Sequence, residues 1–179
     1  MDDKRASEII TTPRLSLRPL TNDDAARIAE IAGVWELASM TARIPYPYSE
    51  EQAHQWIGGS APGEFVRGIE LQGTLIGCCG FMPIARESEG KHDEQSVEIG
   101  YWIGKDYWGR GFATEAATAI VAECKRRGFS HLHAGHFHDN PASARVLIKL
   151  GFKHVGYKEW WGEARQCNIR AERYEMIAS

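Results

Sequence analysis

No stretch of the chain approaches the run of roughly 20 apolar residues that a membrane-spanning helix requires. The opening segment, MDDKRASEII, is acidic and polar, unlike the charged-then-apolar pattern of a secretory leader. Positive charge is not in excess either. The 21 lysines and arginines stand against 24 aspartates and glutamates, a net charge of −3 that leaves no basic footprint for nucleic acid, so any partner must be recognised locally. Cysteine is scarce: Cys78, Cys79, Cys124 and Cys167 show no CxxC spacing and no disulfide framework, which points to reduced thiols and a cytoplasmic setting. Internal repeats, linkers and low-complexity tracts are missing. What remains is an ordinary globular balance, 43% hydrophobic and 25% charged, over 179 residues, enough for one domain with a real core. We expect a single domain over 1–179, with its core at 12–178.

The most informative stretch is 98–116, EIGYWIGKDYWGRGFATEA. A strand-patterned run leads into a glycine-bracketed turn, and the turn opens onto an alanine-rich helix. Glycine at 109 and 111 lets backbone approach a ligand with no Cβ in the way. A helix N-terminus placed there offers unpaired N–H groups and the positive end of its dipole, which together favour phosphate or pyrophosphate. A Walker-type loop would need Gly-Lys followed by Ser or Thr, and a dinucleotide fingerprint would need a third glycine where Glu115-Ala116 stand. The alternative is a plain strand–turn–helix with its glycines there for geometry.

Around this stretch the elements follow from periodicity. Arg14–Leu20 alternates as a strand ended near Pro19. Thr21–Asp24 caps a helix that turns Ala25, Ile28, Ala29 and Ile31 inward. Residues 34–48 read as irregular, and Ser49–Gln52 is a capping box opening a helix that carries Trp56 and Ile57. Glu64–Leu71 and Thr74–Ile84 form a hairpin across Gln72-Gly73. Arg86–Glu94 reads as a solvated loop before a strand at Ser96–Gly104. A helix over 112–127 has its apolar stripe at Ala113, Ala116, Ala117, Ile120, Val121 and Cys124, closed by Gly128. Leu132–His138 is a strand, 141–150 a helix burying Val146, Leu147 and Leu150, and 153–161 with 167–177 a final antiparallel pair. His131 and His133 share one strand face and His136 and His138 the other, so they do not surround a tetrahedral ion; we expect no metal site.

The order VEIGYWI, WGRGFATEA, NPAS, KLGF resembles the GCN5-related N-acetyltransferases, the GNAT superfamily, and within it the RimJ/RimL-type branch that acetylates protein N-termini. The match runs closely over 97–157 and more loosely from Thr12 to the end. Trp108 stands where the family's usual loop begins with Gln or Arg, a replacement common in that branch. The resemblance implies a single α/β domain with a mixed, largely antiparallel sheet, helices on both faces, and two splayed parallel strands at the acetyl-CoA site. It implies acetyl-CoA as co-substrate, held by backbone at Trp102 and Ile103 and by the loop Trp108, Gly109, Arg110, Gly111, Phe112, Ala113 and Thr114. Phe112 fits the core better than a ligand. Asn140 would reach the pantetheine amides, unless it only caps its helix.

Acetyl transfer to an amine needs donors for the carbonyl, a base for the amine and stabilisation of the leaving thiolate. The resemblance makes Glu98 the candidate base, because its apolar neighbours Val97 and Ile99 face the other side of the sheet and the family often has a glutamate there. A solvent-facing role for Glu98 is the alternative, and Glu70 is its rival as base. The tyrosine that many relatives carry in the helix after the asparagine motif is absent from Val146-Leu147-Ile148. Ser143 resembles the serine that serves as acid or cofactor contact in the branch, or else it caps the helix. Neither Cys78 nor Cys79 shows the paired base an acyl-carrying nucleophile needs. Ile44–Tyr48 and Trp160-Trp161 are candidates for an acceptor pocket or for packing. The acceptor is expected to be a primary amine, first a protein or peptide N-terminal α-amino group. Aminoglycoside, polyamine or amino-acid acetylation and a non-catalytic acyl-CoA-binding module are the alternatives. The oligomeric state, monomer or homodimer, has no signature in the sequence.

Overall fold

The computed structural model describes residues 8–59, 61–85 and 92–177. Among the described residues, eight strands form one sheet: β1 (Ile10–Thr11), β2 (Ser16–Arg18), β3 (Phe65–Leu71), β4 (Thr74–Ala85), β5 (His92–Ile103), β6 (His131–Phe137), β7 (Lys153–Gly162) and β8 (Cys167–Ile177). Their spatial order is β1-β2-β3-β4-β5-β6-β8-β7, and every neighbouring pair is antiparallel except β5 and β6. The helices are α1 (Ala25–Ala32), α2 (Trp35–Ala38), α3 (Glu50–Gly58), α4 (Phe112–Arg126) and α5 (Pro141–Leu150). This is the expected mixed, largely antiparallel α/β domain.

The helices sit on both faces because the strands alternate. On β4, adjacent Cys78 and Cys79 point into different cores, Cys78 with Ala25, Ile28 and Ala53 of α1 and α3, Cys79 with Phe112, Ile120 and Leu147 of α4 and α5. The α4 stripe is buried from Ala116 to Cys124 as its spacing predicts, with Ala113 half-buried, and Ala116 and Ala117 are small enough to let the helix lie close on the sheet. Phe112, Ile120 and Val121 each contribute about 2 kcal/mol of burial, so packing rather than propensity holds α4.

Several expectations are corrected. A four-residue turn of helix, α2, forms inside the segment read as irregular, burying Leu37 and Ala38. The chain before β2 adds a two-residue strand paired to it. Strand β5 begins at His92, inside the expected loop 86–94, because β4 continues far enough to pair Ala85 with His92; residues 86–91 lie outside the described ones. On α5 only Leu147 is fully buried, and Val146 and Leu150 are half-buried, because the helix covers the sheet where it opens.

Candidate functional site

The parallel pair β5–β6 holds together only over Ser96↔His131, Val97↔Leu132 and Glu98↔His133. Beyond that point β5 stays paired with β4 as far as Ile103, and β6 stays paired with β8 as far as Phe137. The two strands therefore part, as the resemblance implied, and Tyr101, Trp102 and Ile103 line one side of the gap. Trp102 packs with the α1–α3 core and Ile103 is buried with α4.

At the far end of β5, a 3-10 turn at Lys105–Tyr107 delivers the chain to the loop. Trp108 donates its indole Nε1–H to the Ile103 carbonyl at 2.6 Å, tying the loop to the strand end. Gly109 has φ +73° and Gly111 φ +80°, the left-handed region in which a side chain is strained. The first N–H of the turn to find a backbone acceptor is that of Glu115, bonded to the Gly111 carbonyl at 3.1 Å. Among the described residues, no acceptor meets the N–H groups of Gly109 to Thr114. Six donors thus stand free of a protein acceptor beside the positive end of the α4 dipole.

Glu115, in the first turn of α4, would oppose an anion there. Arg14 meets that charge: its Nε lies 2.6 Å from Glu115 Oε2, its backbone N–H donates at 2.8 Å, and Thr12 donates to the same carboxylate at 2.6 Å. Burial works to raise the Glu115 carboxyl, but the bonds from Thr12 and Arg14 outweigh it and hold it below the usual carboxylate range. Arg14 also donates to the Arg110 carbonyl at 3.0 Å, bracing the loop from the first hairpin. The Phe112 ring is core, 3% exposed, with the Arg14 and Arg110 guanidinium groups over it at 4.6 and 4.8 Å. Arg110 has no carboxylate partner among the described residues, so its charge is available to a ligand. Ala113 and Thr114 are half-buried.

Across the gap, Asn140 caps α5: its Oδ1 accepts from the Ser143 N–H at 3.2 Å. That uses its oxygen and leaves its amide donors. Ser143 itself does not cap. Its hydroxyl lies 2.9 Å from Tyr101 Oη, which also donates to the Ser143 carbonyl at 3.3 Å. Burial pushes the Tyr101 phenol up to about 12, against the bond with Ser143, which lowers it. Sequence reasoning missed Tyr101. Alternation with Ile99 and Ile103 marks it as core-facing, and nothing local announces a polar partner 42 residues away.

Glu98 stands at the last paired position before the strands part, half-buried, on the sheet face opposite Val97 and Ile99. Among the described residues its carboxylate forms no hydrogen bond or ion pair. Its cross-strand neighbour His133 has Nδ1 3.4 Å from Glu175 Oε1. The rival Glu70 is committed elsewhere: Arg18 Nε lies 2.7 Å from its Oε2 and also clamps Asp24, on a strand separated from β5 by β4. Burial pushes the Cys78 and Cys79 thiols up, which suits packing and not nucleophilic attack. Distant segments meet around the end of β6. Trp160 lies where a Cβ on Gly135 would collide with it, Arg165 Nε donates to the Ser39 carbonyl at 2.6 Å, and Arg165 pairs with Asp139 at 2.6 Å. Ile44 and Tyr48 join the α1–α3 core, while Tyr46 is exposed against Trp35 and Trp161 is exposed. Together, the free N–H run, the uncountered Arg110 and the parted strands fit a ligand with a pyrophosphate and an extended arm.

The acetyltransferase (GNAT) domain family matches residues 14–153. An uncharacterized N-acetyltransferase of Bacillus subtilis, YoaA, is 31% identical over 166 residues, covering 83% of this chain and 84% of that one. The ribosomal protein uS5-alanine N-acetyltransferase of Escherichia coli is 26% identical over 160 residues, covering 83% and 79%. Among solved structures, RimL, a ribosomal L7/L12 alpha-N-protein acetyltransferase in complex with coenzyme A, superposes with TM-score 0.79 at 20% identity, over 95% of this chain and 98% of that one.

Proposed function

The chain belongs to the acetyltransferase (GNAT) domain family and is an acetyl-CoA-dependent N-acetyltransferase; from that premise we propose that its acceptor is the α-amino group of a protein or peptide N-terminus, with Glu98 as base and Ser143 at the leaving sulfur. The observation that carries the site assignment is the placement of Glu98, a half-buried carboxylate without a partner among the described residues, where β5 and β6 part. The acceptor class draws support from a relative named as a ribosomal protein uS5-alanine N-acetyltransferase and a fold neighbour named as a ribosomal L7/L12 alpha-N-protein acetyltransferase.

Acetyl-CoA brings the activated acyl group. The N–H groups of Gly109 to Thr114 and the Arg110 guanidinium bind the phosphates, and the open edge of β5 at Trp102 and Ile103 lines the path of the arm. Glu98 accepts the proton that the attacking amine sheds, directly or through one water. An α-amino group suits so mild a base: its pKa of about 7.7–8.0, against about 10.4 for lysine, leaves far more of it neutral at pH 7.

A thiol-release assay tests the acceptor class on peptides with free and blocked N-termini, polyamines and aminoglycosides. Turnover is expected with free α-amino peptides and lost on blocking. Turnover confined to polyamines or aminoglycosides would refute it.

A further inference from the structure

The contact between Tyr101 and Ser143 has a chemical consequence. A serine hydroxyl holds one hydrogen and two lone pairs, and a phenol can donate once. Two arrangements fit the 2.9 Å separation. In one, Ser143 donates to Tyr101, and the phenol hydrogen goes to the Ser143 carbonyl at 3.3 Å, so both hydrogens are spent within the protein. In the other, Tyr101 donates to Ser143 Oγ, and the serine hydrogen is free for a third group. Negative charge gathering beside Ser143 selects the second arrangement, because the serine hydrogen then meets the charge while the phenol strengthens it as a donor.

We propose that Tyr101 is a positioning residue for acetyl transfer: from β5 it holds the Ser143 hydroxyl in the first turn of α5 and turns its hydrogen toward the leaving sulfur. This rests on the reading of Ser143 given above. Three features of the site support it. The Ser143 N–H is already fixed by Asn140, so the serine backbone is held while the hydroxyl rotates. Tyr101 projects from the stretch of β5 that no longer pairs with β6. The phenol, held at about 12, keeps its hydrogen throughout the range in which an amine acceptor is neutral. As the C–N bond forms and the C–S bond breaks, the C–S electron pair passes to sulfur and Glu98 takes the amine proton. Ser143 donates a hydrogen bond and keeps its proton, since a thiolate whose conjugate acid has a pKa of about 8.5 is too weak a base to remove it. The thiolate is protonated later, from water.

The test is a double-mutant cycle on the full chain with Tyr101→Phe, Ser143→Ala and both together. Tyr101→Phe should lower kcat about tenfold, the worth of one polarising hydrogen bond, with acetyl-CoA affinity by calorimetry unchanged. In the Ser143→Ala background the same change should cost nothing more. A second measurement does not depend on turnover. The thiol of bound CoA, titrated by its ultraviolet thiolate absorbance against desulfo-CoA as blank, should ionise about one pH unit higher in Tyr101→Phe than in wild type. If Tyr101→Phe proves unstable, 3-fluorotyrosine at 101 keeps the ring and sharpens the donor, and should lower that thiol pKa. Full kcat in Tyr101→Phe beside an impaired Ser143→Ala would overturn the role of Tyr101 and leave Ser143 standing. Equal losses from Tyr101→Phe in both backgrounds would also overturn it, since Tyr101 would then act independently. A Ser143→Ala variant with full kcat would instead remove the reading of Ser143 on which the inference rests.

Discussion

Replacing Gly111 with alanine puts a definite free energy at risk, and linkage says where it must reappear. The residue sits at φ +80°, where an L side chain costs about 1–2 kcal/mol. The new Cβ would lie 3.4 Å from Arg14 Nη2, the movable end of a flexible side chain, so sterics add little beyond the backbone strain. If the loop keeps its shape, the folded state bears the strain, and the melting temperature falls by about 2–8 °C for a chain of this size. If the loop relaxes in the free protein, the strain is paid on binding, and acetyl-CoA affinity falls about 5- to 30-fold. The two losses, expressed as free energies, should sum to the same 1–2 kcal/mol. Scanning calorimetry and isothermal titration on one preparation measure both. Gly128→Ala is the control. It has φ +88°, closes α4 at its far end and has nothing within 4 Å of its Cβ position, so it should lose stability and keep full affinity. Unchanged stability together with unchanged affinity in Gly111→Ala would refute the reasoning.

Glu98→Gln should lower turnover about 10²- to 10⁴-fold, most at low pH where the amine is charged, while acetyl-CoA affinity holds; wild-type rates on the best acceptor would end its role as base. Trp108→Phe removes the indole hydrogen bond to the Ile103 carbonyl and should weaken acetyl-CoA binding several-fold with little change in melting temperature, read by titration calorimetry. Arg18→Gln strips the buried Asp24 carboxylate of its cationic partner, leaving the Thr21 N–H at 2.8 Å, and should cost about 3 kcal/mol at pH 7 by denaturant unfolding. Arg18 holds the Asp24 carboxyl below its ordinary value, so this stabilisation is fully present above about pH 4 and fades as pH falls through the depressed folded value. The wild-type acid limb should therefore be steeper than that of Arg18→Gln, and parallel limbs would contradict the pairing.

The features of this protein that were legible in its sequence are the ones set by neighbours along the chain. Gly109 and Gly111 announced a left-handed turn, Asn140-Pro141 a capped helix, and Ser49–Gln52 another, whose reciprocal bonds form at 2.8 and 3.2 Å. Strand alternation sent Cys78 and Cys79 into different cores and Glu98 away from Val97 and Ile99. Each of these follows from backbone sterics or from a period of two or 3.6 residues, which act within a few positions. Tertiary structure decided which partners meet. It ended the β5–β6 pairing at Glu98, committed Glu70 to Arg18, brought Arg14 to the carbonyl of Arg110, and set Tyr101 against Ser143. Those contacts span 42 to 96 positions, or depend on strand order and register, so no local pattern encodes them. A side chain's chemistry is fixed by what surrounds it, and the surroundings exist only once the sheet has closed its order.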